Sequence, residues 1–530
     1  MADIERVCML SGKSFRVSEA EQEHLRRLSA LLAHLKAEIP VPQIHPVEAM
    51  RRACCHGNYF FLFRGQSALS GKTQLTRYHP LLHSKICTVQ EFWNDEIDNT
   101  QIGRAYDFRR PFFAQLADVF RDSYLLPLVQ INCEGSEYVN GAKNVRDSYL
   151  CFDILESQDC LYCFAHYSGH DNVCCVLSRG SQYCFECLNI DNCYECQHCT
   201  DCVNCANCFG CLDLIGCRDC YGCSGLRNAV FHLYNQPLSK AAYDEFVRGR
   251  NLNCFAGRRQ EILACREFAA QSGHRPNYLI NIESSSGKYL RDCRGALQCC
   301  FSHDLEDCGY LVNSKNSSNC WRGMAIDAQF SYHSVPVGSS CEIGCYANTG
   351  GEANLYSVGL EQDCSHCFGC AALRRRSYCI LNRQYSRSEY LDLAPRIVKQ
   401  MELAGEWGLP LPPALSCHYL EHSLAQIFFA PLAEHEAHRR GYHAPAPPPE
   451  SPSGLPGRLE DLPDDIERVA DDSPPAACFP SQASGRLFAI QRSEIAFHRR
   501  FRIPLPRTHW MERIEELWAQ RELVNDSVKA

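Results

Sequence analysis

Between Cys193 and Cys211 the chain reads CYECQHCTDCVNCANCFGC, a thiol at every third residue. Thiols at that density suggest three chemistries. Two Cys-x-x-Cys pairs separated by a loop make a zinc site. A Cys-x-x-Cys at a helix N-terminus, with its pKa depressed, makes a redox couple. Cysteines on strands about 4.7 Å apart fall within the Cα range of a disulfide. Here the pairs overlap without a loop, no βαβ pattern surrounds them, and sister positions accept Ile, Leu, Ser or Gly, none of them a usual zinc ligand. Other reactive types are sparse. His166 and His170 lie in AHYSGHDN (165–172); His170 is expected to point outward and His166 to be a core histidine or the mark of a bulge. QSALSGKTQ (66–74) ends like a phosphate-binding loop, but Gln66 stands where its first glycine is required, so it reads as a polar turn. With no nucleophile elbow, dinucleotide fingerprint or HExxH, the expectation is a chain without catalytic residues that is not an enzyme.

The elements that must position the thiols follow from a longer period. Stepping by twelve from Cys151 meets Cys163, Cys175, Cys187, Cys199, Cys211 and Cys223; a second register holds Cys160, Cys184, Cys196, Cys208 and Cys220, and a third Cys193, Cys205 and Cys217. All belong to one every-third class over 151–226, whose other members are Cys202, Ile, Leu, Gly, Ser, Asn and His166. Twelve extended residues make a perimeter of about 40 Å. Flattened, such a coil leaves room for a thin layer of small side chains, and cysteine serves as a small hydrophobe. The plan is similar to the twelve-residue insect antifreeze β-helices, without their outward Thr-x-Thr array, so ice binding is not implied. A second copy follows at an offset of 147, matching Cys220 with Cys367, Asn235 with Asn382 and Tyr243 with Tyr390. Its own class runs from Leu290 through Cys293, Cys299 and Cys308 to Cys320, and its phase slips between about 330 and 355, which suggests an inserted loop. Each copy ends in a Ser-led helical pattern that would cap it.

The expected fold class is therefore mainly β with α additions: two tandem cysteine-laddered β-solenoids with capping helices, flanked by small ribbon-like α/β modules. The expected domains are 1–52, an N-terminal ribbon-like module; 53–127, a second small α/β module; 128–250, solenoid 1 with its capping helix; 251–274, a connector; 275–404, solenoid 2 with its capping helix; 405–475, an extended segment and Pro-rich linker; and 476–530, a C-terminal ribbon-like module. The two end modules echo each other: SGKSFRV (11–17) with SGRLFAI (484–490), and Ile39, Pro42, His45 and Glu48 with Ile503, Pro506, His509 and Glu512.

Composition bounds the setting. The chain has 530 residues, 37 of them Cys, with a net charge of -9 and 22% charged residues. That balance argues against a polyanion binder as a whole. The opening MADIERVCML does not read as a signal peptide, and no apolar run reaches the roughly 20 residues of a membrane helix. Cytoplasmic localisation, reduced thiols and no membrane partner are expected. The C-terminal module is locally basic, with Arg492, Arg499, Arg500, Arg502, Arg507 and Arg513, which makes RNA a conceivable partner beside protein. Positions 161, 173, 185, 197, 209 and 221 form one outward stripe of Leu, Val, Phe, Gln, Phe and Tyr, expected to be covered by another part of the chain.

Four segments carry a family resemblance: YDFRRPFFAQL (106–116), CFGCAALRRRSYCILNRQYSRSEY (367–390), GEWG (405–408) and RFRIPLPR (500–507). In these the chain resembles cysteine-rich proteins common in bacteria of the candidate phyla radiation, a family with no activity attached, so the resemblance bears on architecture. It implies Cys-x-x-Cys pairs in the end modules, like a zinc ribbon. Here those places hold Cys8 and Ser11, then His45 and Glu48, and at the other end the candidates are Cys478, His509 and Glu512. Zinc is thus an optional cofactor and none is required. The functional expectation is a non-catalytic scaffold or binding protein. The alternatives are a zinc-binding, RNA- or ribosome-associated factor and a thiol redox or metal-buffering protein.

Overall fold

The computed structural model describes residues 2–94, 96–273, 275, 278–447, 457–469 and 478–519. Most of the Pro-rich linker lies outside them.

Local backbone chemistry organises the cysteine-rich region. From Tyr183 to Asn207, every third residue has a positive φ, between 48° and 57°. Each stands just before an inward-facing residue. A left-handed residue turns the chain at that point. Twelve residues contain four such corners. The residue between corners pairs in parallel with the residue twelve further on: Gln182 with Tyr194, Phe185 with Gln197, Leu188 with Thr200, Asp191 with Val203. Left-handed φ favours Asn, Asp and Gly, and Asp201, Asn204, Asn207, Gly210, Asp213, Gly216 and Asp219 fill the corner positions in turn.

This corrects the expected fold class. The chain is not mainly β, and it does not show two tandem cysteine-laddered β-solenoids with flattened strand-built coils. It is mixed α/β, with eleven α-helices among the described residues. Of the eight sheets among the described residues, six have only two or three strands. The five-stranded parallel sheet spans Gln130–Glu134 to Val176–Arg179, after which no strand occurs until Arg218–Tyr221. Between 180 and 217 each side pairs through a single residue, so only isolated bridges stand where strands were expected; positive-φ residues also lie inside Phe152–Gln158 and Phe164–Tyr167, so the corner alone does not end a strand.

The second parallel region, Leu279–Ile380, includes a seven-stranded sheet. The phase slip within it is not an inserted loop. The step is eleven residues at Cys320 to Ser331 and again at Ser331 to Glu342, thirteen at Leu355 to Phe368, and twelve again at Cys367 to Cys379. Turns of unequal length absorb the change in phase.

Both regions end in the same way. A short antiparallel return follows the last parallel strand, at Val230–Leu233 with Gln236–Pro237 and at Ser377–Ile380 with Arg383–Gln384. The matched asparagines close the open edge. The Asn235 side chain accepts from the Ser224 N–H and donates to its carbonyl, both at 2.9 Å. Asn382 does the same with Ala371 at 2.8 and 3.0 Å. Helices Lys240–Arg248 and Arg387–Ala404 then begin at Ser239 and Ser386, whose hydroxyls cap them.

The chain forms two compact units, and sequence order does not predict them: Met1–Leu128 joins Asn277–Ala446, while Val129–Pro276 joins Pro447–Glu522. Each end module thus belongs to the parallel region more distant from it in sequence.

Candidate functional site

All fifteen ladder cysteines named from the sequence are buried in one core cluster of the second unit. Their sulfurs are hydrogen-bonded as well as packed. Cys199 Sγ lies 3.4 Å from the Gln197 carbonyl and 3.3 Å from that of Cys208; Cys184 repeats this with Gln182 and Cys193 at 3.3 and 3.7 Å. Sulfur also accepts: the Cys163 N–H donates to Cys151 Sγ at 3.4 Å. Serine does the same at its inward positions. Ser148 Oγ donates to the Arg146 carbonyl at 3.0 Å and accepts from the Cys160 N–H at 3.1 Å. Burial pushes the Cys160, Cys174 and Cys211 thiols well above their usual range and Cys199 up to about 11, which suppresses the thiolate at these positions, while hydrogen bonds from neighbouring cysteines hold Cys196, Cys205 and Cys220 below it.

His166 lies inside the same interior. Its Nδ1 meets Ser178 Oγ, and its Nε2 lies 3.2 Å from Asn172 Nδ2. Gly169 is required beside it, because a Cβ there would stand 2.0 Å from His166 Nε2. His170 is exposed. Gly71-Lys72-Thr73 forms the turn between the antiparallel strands Phe63–Gln66 and Thr73–Thr76, with no helix behind it.

The metal candidates do not assemble. Cys8 is buried near His45. Burial raises its thiol, but hydrogen bonds from the His45 backbone and from Ser11 outweigh that and leave it below its ordinary value. The Nδ1 of His45 accepts the Val47 N–H at 3.2 Å as a helix cap. Glu48 is committed to Arg440 at 2.6 Å and the Tyr442 hydroxyl at 3.0 Å. In the C-terminal module Cys478 is not the partner of His509. Ser481 stands there: its Oγ accepts the His509 N–H at 3.2 Å and donates to Glu512, to which Ser484 also donates. Among the described residues no group of three or more His, Cys, Asp or Glu could hold a metal ion.

The outward stripe is covered, chiefly by helix Phe255–Gln271 and the C-terminal module, both within the second unit. Arg258 lies over the Phe185 ring at 5.4 Å and the Phe209 ring at 5.0 Å, and Phe185 also meets the His498 ring edge-on at 5.3 Å. The basic module therefore turns several arginines inward. Arg513 is buried against Glu494 at 3.0 Å, and Arg507 donates to the Leu459 carbonyl at 3.0 Å and lies over Phe255.

Where helix, module and stripe meet they leave a cavity of about 500 Å³. Five arginines line it, Arg258, Arg259, Arg266, Arg507 and Arg513, together with Glu186, Glu516 and His198. His198 bridges Glu186 at 3.4 Å and Arg266 at 3.0 Å. Burial raises the Glu186 carboxyl, but the His198 hydrogen bond, with the charges of Arg513 and Arg258, holds it down at about 2. Burial lowers Arg258 to about 10, although the nearby Glu186 charge acts to raise it. The sequence signal for this site was weak: Arg258, Arg259 and Arg266 share one helix, but the residues opposite them come from more than 200 positions away. No known family matches this chain, and no curated protein is significantly similar to it.

Proposed function

We propose that the chain is a non-catalytic binding scaffold, in which the thiols build a rigid interior and the outer faces carry recognition. The observation that carries this reading is the double use of each inward Sγ, packed into the core and hydrogen-bonded to backbone, which leaves it unavailable as nucleophile or ligand. All 37 cysteines are free thiols, which suits a reducing compartment and supports a cytoplasmic setting. No helix among the described residues is long and apolar enough to cross a membrane. The test is a pull-down from the native source in high salt, run beside native-state alkylation and metal analysis. A salt-resistant protein partner supports the scaffold. RNA lost as salt rises, or fast thiol labelling with stoichiometric zinc, would replace it with a ribosome-associated or a thiol-buffering role.

A further inference from the structure

The arginines that line the cavity of the second unit carry unmet donors, and its walls are partly apolar. Five buried guanidinium nitrogens lack a hydrogen-bond partner: Arg258 Nη2, Arg266 Nε, Arg507 Nε, and Nε and Nη1 of Arg513. The nearby carboxylates are already engaged, Glu516 with Arg266 at 3.0 Å, Glu494 with Arg513 at 3.0 Å and Asp464 with Arg507 at 3.6 Å. Buried donors without acceptors are costly, about 1–3 kcal/mol each and more when charged. A group that only accepts would meet that need.

The geometry points to a binding site for a phosphate monoester carried on an apolar, ring-sized body, which we propose as the ligand class of this cavity. A monoester offers three terminal oxygens to several guanidinium donors, whereas a carboxylate offers two. The remaining space exceeds one phosphate and falls within the roughly 300–1,000 Å³ of small-molecule sites. Phe255, Ile262, Leu263, Leu505 and Leu517 line it and suit the apolar body. The inference stands on these contacts whether or not the chain also carries a protein partner.

Calorimetric titration of the full chain with phenyl phosphate, inorganic phosphate and benzoate tests it. Phenyl phosphate is expected to bind about tenfold or more tighter than either of the others. Arg266→Gln, at a half-exposed position, is expected to weaken phenyl phosphate about tenfold, and Arg218→Gln, away from the cavity, to leave it unchanged. Arg258→Lys, checked for an unaltered melting temperature, separates loss of the planar fork from loss of charge and is also expected to weaken binding. No binding up to about 10 mM, benzoate binding as tightly as phenyl phosphate, or indifference to Arg266→Gln would overturn the assignment.

Discussion

The two end modules solve one docking problem with the arginine drawn from different places. Each carries a buried glutamate in the first turn of its first helix, Glu21 in Glu19–Leu31 and Glu494 in Arg492–Arg500. Glu21 receives its arginine from the parallel region: Arg322 is wholly buried, donates to Glu21, and has Tyr332 Oη 3.5 Å from the same carboxylate. Glu494 receives its arginine from its own module, Arg513, and the parallel region supplies the Tyr162 hydroxyl at 2.9 Å. A buried ion pair contributes little net stability but costs much when half of it is removed. The Arg322–Glu21 pair therefore ties the N-terminal module to its region, whereas the C-terminal module holds its own cation and is tied through the Tyr162 hydroxyl.

The first unit should also be the more acid-labile. Seven of its histidines are held below their ordinary value, with burial the main cause: His24 at about 3, His34 and His56 at about 4, and His83, His333, His366 and His418. The second unit has His498 and His509. A depressed histidine contributes stability that is complete above about pH 6.5 and lost as pH falls toward the folded value. Burial raises Glu342 and Glu361 in the first unit to about 7, and they offset part of the loss. The net cost to the first unit should be on the order of 5 kcal/mol by pH 4.5. Hydrogen exchange, corrected for its intrinsic pH dependence, should show peptides of 2–128 and 278–446 opening first; earlier opening of 129–273 would reverse the comparison.

The module pairing breaks next. Arg322→Leu strands Glu21 in the interior and should cost about 3–5 kcal/mol. Arg513→Leu should cost less, because Glu494 keeps the nearer tyrosine hydroxyl. Adding Glu21→Gln to Arg322→Leu should recover much of the loss. Denaturant melts of the three variants check this, and equal costs for the two arginines would mean that the tyrosines contribute nothing.

Glu342 sharpens the comparison of the interiors. His166 with Asn172 in one region and Glu342 with Asn348 in the other are buried titratable groups six residues before an asparagine, at 3.2 and 3.0 Å. Because burial raises Glu342 to about 7, its share of stability is full below about pH 4.5 and is lost as pH rises toward 7. Glu342→Gln should therefore stabilise the protein at pH 8, by roughly 1–3 kcal/mol, and be near neutral at pH 5. A thermal melt at each pH reads this directly.

What the sequence made legible was local. The every-third class named the buried residues, and Ser239 and Ser386 marked helix starts, because both signals lie within a dozen residues. The Asn/Asp/Gly that follow two places after each inward residue were equally visible. Read as corners, they would have shown that each run of twelve residues turns four times. Three other features were not legible. The assignment of modules to units depends on contacts across hundreds of residues. The arginine cavity draws on a helix and a module with no shared motif. The end-module ligand pattern misled, because Ser481 and Glu48 found partners that spacing does not reveal.

The smallest effect bears on why sulfur fills one interior so densely while the other mixes in serine, alanine and leucine. If Cys199 only fills space, Ala and Ser should serve alike. Its Sγ also sits within hydrogen-bond reach of the Gln197 and Cys208 carbonyls. Cys199→Ser retains a donor of nearly the same size, as Ser148 and Ser157 show in situ, and should cost under about 1 kcal/mol. Cys199→Ala leaves both carbonyls without that donor and opens a small void, for about 1–2 kcal/mol. Cys199→Phe overpacks the interior and should exceed both. Urea melts rank the three, and an alanine variant as stable as serine would reduce the thiol to filler.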